Sequence, residues 1–427
     1  MKHRIVFRLM ISVSIFTTFY VAPVYGDNAQ VLPKGVSSVG FVYYNYFDIN
    51  EVYDSDGNTE DIAADYNRPL DSTVFTALIG LDPFVADGTA TLGDAVVDFT
   101  RIHRNWEFTY SYGLSDKVSF GILIPFNDVK NNVSAYLDTT TADVGRNPLY
   151  TLAGFNPADP ATYPIIPVAF GGQPLSTADI MALLGPGLDV DNNGTVEGPE
   201  PVGYGLDPVE DWSGSDIGDI ELVAKYKFYE KDNWRMAFSG GLKLPTGKTD
   251  DPDNLVDIAS GDGQTDILLK LNTDYTGVEK LFLNATVKVS VQLPAKETLR
   301  VLDDPDVPLT ANKEKVDRDL GDIVQMEMMG NYSISREWSV GLKYRFTRKF
   351  KDEVDGNLGY NYSALEDGTD TISHMGWLSI GYSTVKKYLD KEASVPFNVG
   401  MSYRNRFAGK NGVTNSEYIS LSFGIYF

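Results

Sequence analysis

The stretch Leu281-Phe282-Leu283-Asn284-Ala285-Thr286-Val287-Lys288-Val289-Ser290-Val291-Gln292-Leu293 decides the fold. Its odd positions are Leu, Leu, Ala, Val, Val, Val and Leu. Its even positions include Asn284, Thr286, Lys288, Ser290 and Gln292. An amphipathic helix repeats its apolar residues every three or four positions, so a sustained period of two excludes one. This is an extended strand with one face against something apolar and the other against something wet.

The same alternation recurs along the chain. Ile220, Leu222, Ala224, Tyr226 and Phe228 alternate with Glu221, Lys225 and Lys227. Val340, Leu342, Tyr344 and Phe346 alternate with Lys343, Arg345 and Thr347. About twelve such strands are expected, near 36–48, 96–112, 117–131, 217–229, 234–245, 264–275, 281–293, 320–334, 338–351, 369–386, 394–408 and 415–427. Tight polar turns join them at one end. Longer connections, 49–95, 132–216, 246–263, 294–319 and 352–368, all fall at the other.

Short turns on one side, long loops on the other and an even strand number are the pattern of outer-membrane barrels. Lipid offers no hydrogen-bond partners, so each strand must pair on both edges, and closure achieves this. The expected fold is therefore all-β: a closed antiparallel transmembrane β-barrel of about 12 strands with long extracellular loops. Residues 27–427 form it, and 132–216 is a large extracellular loop insertion. The last strand carries Ile419, Leu421, Phe423, Ile425 and Phe427 on one face and ends on that aromatic. This resembles the signal read by the barrel assembly machinery, an expected partner. Trp106, Tyr110, Tyr112, Trp234, Trp338, Tyr382 and Tyr426 suit aromatic girdles at the membrane interfaces.

Composition narrows the function. There are no cysteines, so disulfides and thiolate metal sites are excluded. A net charge of -23 argues against nucleic acid, which needs basic surface. Lys2, Arg4 and Arg8 precede an apolar stretch from Met10 to Tyr20, with Val24 and Gly26 before Asp27. Residues 1–26 thus read as a signal peptide cut before Asp27, for export to the outer membrane of a Gram-negative bacterium.

If the apolar face meets lipid, the opposite face lines a lumen. It carries Arg101, Lys225, Lys227, Arg235, Lys243, Lys270, Lys288, Lys343, Arg345, Arg404 and Arg406, against Glu107, Glu221, Asp266, Asp274 and Glu327. Two readings stand. The charges pair across a rigid interior, or they form a cationic path that favours anionic solutes.

One loop carries a metal signature. Asp189-Val190-Asp191-Asn192-Asn193-Gly194-Thr195-Val196-Glu197-Gly198-Pro199-Glu200 fits the calcium-loop spacing. Asp189, Asp191 and Asn193 supply hard oxygens from alternate positions. Gly194 permits the sharp turn, Thr195 offers its carbonyl, Glu197 a water-mediated contact and Glu200 a bidentate carboxylate. Gly198-Pro199 stands where an exit helix would begin, which favours a single structural Ca²⁺ site. A short helix is expected just before it, from Ser176 to Leu184. Asp54-Ser55-Asp56-Gly57-Asn58 resembles the start of a second such loop without its closing Glu. The apolar Val74–Leu81 reads as a short helix at or in the barrel mouth.

Catalysis does not fit the pattern. A Ser–His relay on one strand needs the two residues two apart, as in outer-membrane phospholipase A. Asn105 and Gly376 follow His103 and His374 at that spacing, and Ser373 faces away from its neighbour. The Asp–His spacing of the omptin proteases is missing as well.

Gly218-Asp219-Ile220-Glu221-Leu222-Val223-Ala224-Lys225-Tyr226, followed by Gly241-Leu242-Lys243-Leu244-Pro245-Thr246-Gly247-Lys248, resembles the transporter-like family of the MetA pathway of phenol degradation. So do Leu32-Pro33-Lys34-Gly35, Tyr112-Gly113-Leu114-Ser115-Asp116-Lys117 and Gly261-Asp262-Gly263-Gln264-Thr265-Asp266. The resemblance covers the barrel and not 132–216. It implies a channel or transporter for small solutes, often hydrophobic or aromatic, and carries over no functional residue. The alternative is a structural or adhesive barrel with calcium-stabilised surface loops.

Overall fold

Twelve strands alternate along the chain and pair antiparallel with their neighbours. The computed structural model describes residues 27–304 and 307–427, so the expected signal peptide lies outside the described residues. The strands are β1 (Ser37–Tyr46), β2 (Thr91–Ser115), β3 (Val118–Asp138), β4 (Ile220–Lys231), β5 (Trp234–Leu244) and β6 (Asp266–Val278). They continue with β7 (Leu281–Gln292), β8 (Ile323–Ser333), β9 (Trp338–Lys349), β10 (Thr371–Ser383), β11 (Phe397–Lys410) and β12 (Glu417–Tyr426). β1 closes the ring, pairing Phe41 with Phe423 of β12 on one edge and with Phe108 of β2 on the other. All twelve expected strands are present.

Alternation sorts the side chains. Leu342 and Leu378 are 66% and 58% exposed on the outer face, among Phe238, Val287, Met401 and Leu421. A belt this apolar suits hydrocarbon and not water. No helix among the described residues is long and apolar enough to cross a membrane; the crossing is made by strands. Trp338 packs on Tyr382 at 5.1 Å at the tight-turn end, as expected of a girdle. Tyr426 departs from expectation. Its neighbours Ile425 and Phe427 face lipid, so parity turns it inward, where it packs beside Leu32 and Val36.

The tight-turn end is periplasmic and the loop end extracellular. β2 and β3 have 25 and 21 residues, whereas a crossing needs about 9–11. The upper part of this hairpin therefore stands above the membrane, and the long loop starts after Asp138 and not at 132. The strand Trp212–Ile217 pairs with Phe126–Asn131 of β3 there, and Gly218-Asp219 interrupts the wall before β4.

The loops fold together into a cap with its own core, including Leu78, Leu92, Val144, Ile180, Leu183, Leu188, Val190 and Leu309. The Val74–Leu81 segment joins it as a 3₁₀ helix, Thr76–Phe84, that buries Leu78 and Leu81. Helix α1 (Thr177–Leu184) forms where expected. Ser176 accepts from the Asp179 N–H while Asp179 accepts from the Ser176 N–H, a reciprocal cap.

Candidate functional site

Register places charge in rows. Lys225 of β4 lies opposite Ser239 of β5, Ser239 opposite Lys270 of β6, and Lys270 opposite Lys288 of β7. Three inward lysines thus share one level on four neighbouring strands. Like charges in such a row repel and need acids nearby.

The chain ahead of β1 supplies one. It enters from the periplasmic end: the Gly35 N–H donates to the Gly113 carbonyl at 2.8 Å, and the Leu32 N–H to Ser119 Oγ at 2.8 Å. Leu32 is buried beside Leu123, Val223 and Leu268. The Ala29 N–H reaches Asp274 Oδ1 on β6 at 3.0 Å. At the lysine row Lys225 Nζ donates to Asp27 Oδ1 at 3.2 Å and to the Asn28 carbonyl at 2.8 Å, and Lys270 pairs with the same carboxylate. Asp27 is 3% exposed. The described part of this segment is held by charge at Asp27 and by apolar contact at Leu32.

Other rows are also paired. Lys288 lies 3.8 Å from Glu221 Oε1. Arg345 Nε donates to Glu327 Oε1 at 2.6 Å, with Lys343 3.8 Å from the other oxygen. Lys243 pairs with Asp262 and lies 2.9 Å from Asp266 and 3.9 Å from Asp219. Lys227 and Arg235 share Glu230 at the periplasmic rim. Arg101 meets Asn131 at the mouth, 3.1 Å from its Oδ1, and Arg406 donates to the Thr414 carbonyl at 2.7 Å. The basic excess counted on strand positions is offset by Asp27, Asp219 and Asp262, acids outside the strands. Sequence reasoning missed them because it counted wall positions alone.

Across the lumen the lining is aromatic. Tyr44, Tyr46 and Tyr418 cluster, with ring centroids 5.1 and 5.0 Å from Tyr418. Tyr44 Oη donates to Glu107 Oε2 at 2.8 Å, and Trp377 Nε1 to Tyr418 Oη at 3.0 Å. Lys343 Nζ sits 4.2 Å from the Trp377 ring centre, and the Arg404 guanidinium 4.3 Å from that of Tyr418. These are cation–π distances. Parity along β1, β10 and β12 marks all four aromatics as inward, a signal available from sequence.

The segments that carry the family resemblance meet in space. Thr246 Oγ1 donates to the Gly218 carbonyl at 2.8 Å and accepts from the Ile220 N–H at 3.0 Å. Asp219 accepts from the N–H groups of Gly247 at 2.9 Å and Asp262 at 3.2 Å. This knot ties together the chain at Gly218-Asp219, where the wall is interrupted before β4.

In the cap, Asp189, Asp191 and Glu200 bring carboxylate oxygens within 4.8 Å of one another. Gly194, at φ +95°, donates to Asp189 Oδ2 at 2.7 Å. Glu200 accepts from the N–H groups of Val190, Asp191 and Glu197 at 2.7, 3.2 and 3.0 Å. Asn193 accepts from Thr195 and donates to Glu197 Oε1 at 3.0 Å. Three converging hard oxygens fit a calcium ion. Arg146 fastens the loop to α1, donating to the Asp189 carbonyl at 3.1 Å and to Asp179 at 2.8 Å. Burial raises the Asp179 carboxyl, but bonds from Ser176 and Arg146 outweigh it and hold the group below the usual range. Asp54 instead spends one oxygen on the N–H groups of Asp56, Gly57 and Asn58.

His103 faces inward, stacked on Tyr46 at 4.6 Å. His374 lies on the lipid side with Tyr344 Oη 2.7 Å from its Nδ1, while Ser373 is buried on the opposite face.

A closed barrel with a charged interior and a lipid-facing apolar belt defines an integral outer-membrane protein of a Gram-negative bacterium. Residues 167–368, just under half of the chain, match the family described as "Putative MetA-pathway of phenol degradation". No curated protein matches its sequence. An outer membrane channel from Pseudomonas putida F1 shares the fold: TM-score 0.52 at 13% identity, over 96% of this chain and 100% of that one. A Pseudomonas aeruginosa FadL homologue aligns at TM-score 0.35 and 10% identity, over 92% of this chain and 90% of its own.

Proposed function

We propose that this protein is an outer-membrane channel for small solutes, with hydrophobic or aromatic compounds as its cargo. One observation carries the reading: a stretch of chain that is not part of the wall, Asp27 to Val36, lies inside the barrel against the polar face of β3, β4 and β6. A barrel built only for rigidity fills its bore with wall side chains. The aromatic shelf of Tyr44, Tyr418 and Trp377 supports an aromatic cargo, since rings stack on rings. The family match and the solved channel of like fold point the same way.

Purified protein in planar bilayers tests it. Deleting 27–34 raises conductance over the parent, and a phenol-type solute reduces the ionic current while it passes. Silence of both proteins overturns the channel reading.

Around this core, Asp189, Asp191, Asn193, Thr195, Glu197 and Glu200 hold a structural Ca²⁺ that stiffens the cap, and β12 is the strand that the barrel assembly machinery reads. The folded cap favours one second reading, an adhesive barrel. On that reading, removing 132–216 abolishes binding to cells or matrix and leaves permeability unchanged.

A further inference from the structure

The lysine row has a consequence for what passes. Lys270 and Lys288 are direct cross-strand partners, and Lys225 shares their level. Lys225 and Lys270 are 3% and 8% exposed. Two buried ammonium groups are costly without an anion between them. In this closed arrangement the anion is the Asp27 carboxylate, reached by both. It arrives on a segment held by polar contacts: the Lys225 bond to the Asn28 carbonyl and the Ala29 bond to Asp274. When the segment withdraws, Lys225 and Lys270 lose their shared carboxylate together and are left facing the bore.

We propose that Lys225 and Lys270 form an anion-binding site on the permeation path, that Asp27 occupies it as a stand-in, and that the preferred solutes are organic carboxylates that displace it. This rests on the channel reading and sharpens its substrate class. The carboxylate takes the place of the Asp27 side chain. An aromatic body has the shelf of Trp377 and Tyr418 on the far strands of the barrel, with Lys343 and Arg345 beside the Trp377 ring. A neutral aromatic solute finds the shelf but gives the lysines nothing, so it passes through a bore already open and does not itself displace Asp27.

The test uses the mature protein in planar bilayers at constant ionic strength, with benzoate and its neutral analogue benzyl alcohol as probes. In the parent, benzoate raises open probability saturably and benzyl alcohol does not. Asp27→Asn keeps the shape and removes the charge, and it raises the open-to-closed ratio about tenfold without any probe, the effect of losing a charge-assisted hydrogen bond. Lys225→Gln with Lys270→Gln abolishes the benzoate response and moves ion selectivity toward cations. The 27–34 deletion keeps the benzoate preference, because the site stays and the stand-in is gone. Asp27→Asn gating like the parent, or equal responses to the two probes, overturns the anion site. A deletion variant that conducts without preferring benzoate overturns it alone and leaves the channel standing. A deletion variant that stays silent removes both.

Discussion

Arg300 Nη2 lies 2.5 Å from Asp253 Oδ1, and this pair ties three extracellular loops into one body. Nε donates to the Pro252 carbonyl at 2.6 Å. Nη1 donates to the carbonyls of Tyr204 at 2.8 Å and Thr310 at 2.7 Å, and Nη2 also to that of Gly205 at 2.8 Å. A guanidinium has five N–H donors, and every one is used. The segments 185–211, 246–263 and 295–319 therefore share a single side chain that is nearly buried.

Arg300→Ala is expected to destabilise the cap by roughly 1.5–3 kcal/mol, the range for losing charge-assisted hydrogen bonds, because Asp253 is part-exposed and keeps Lys313. Arg300→Lys recovers little of this, because three donors on a flexible stem cannot replace a planar fork. The check is limited proteolysis of folded protein in detergent. Cleavage accelerates within 185–211 and 246–263, while the barrel keeps its heat-dependent gel shift. Equal cleavage rates for Arg300→Ala and the parent refute the tie.

How much of this was legible in advance follows from the range of the interactions. Leu281–Leu293 shows its period of two without reference to any partner, and β1 to β12 all follow from that local rule. Ser176 and Asp179 announce α1 within four residues. The pairing of Lys225 with Asp27 spans 198 positions in sequence, and that of Arg300 with Gly205 spans 95; no periodicity encodes either. Tyr426 was misplaced because residue type was weighed above parity. The lumen charges named above meet acids, Lys225 and Lys270 at Asp27 and Arg345 at Glu327.

Calcium is expected to protect the 189–200 segment. Asp191 is the instructive ligand to change. Its carboxylate accepts only from the Asn193 N–H within the loop, at 3.2 Å, whereas Glu200 holds three backbone N–H groups. Asp191→Ala therefore removes a metal ligand and leaves the turn, but Asp189→Ala with Glu200→Ala removes both. In the parent, protease resistance of the loop rises between chelator and about 1–10 mM calcium, the span of extracellular sites. Asp191→Ala loses that rise while matching the parent in chelator. Identical digestion of the parent with and without calcium retires the site.

Cap stability is expected to fall as pH rises, through Asp250. Burial, then the neighbouring charge of Asp257, then that of Glu297 push its carboxyl well above the ordinary range, and Arg318 opposes them. A folded-state value above the unfolded one favours the protonated fold. The stability is complete below the ordinary carboxylate value of about 4 and is lost progressively above it. Asp250→Asn removes the ionisable group and keeps the shape. It is expected to slow loop proteolysis at pH 8 and to change nothing at pH 4, with a protease active at both. A variant that is no more resistant than the parent at pH 8 contradicts this.

The segment from Asp27 to Val36 can be dislodged from the wall side. Gly113 of β2 packs against the entering segment so closely that a Cβ would lie 2.0 Å from the Pro33 carbonyl oxygen and 2.7 Å from that of Leu32. Both obstacles are backbone, so no side-chain rotation relieves them, and overpacking of this kind costs about 1–3 kcal/mol. Gly113→Ala is expected to push Leu32–Gly35 away and weaken the Asp27 contacts above. Gly240→Ala is the control, because its Cβ meets only the Phe238 ring at 3.8 Å. Conductance in planar bilayers rises for Gly113→Ala and stays at the parent level for Gly240→Ala. A cysteine introduced at the buried Leu32 becomes reactive to a membrane-impermeant thiol reagent faster in the Gly113→Ala background. Unchanged conductance together with unchanged labelling means that the segment is not seated on Gly113 in the membrane.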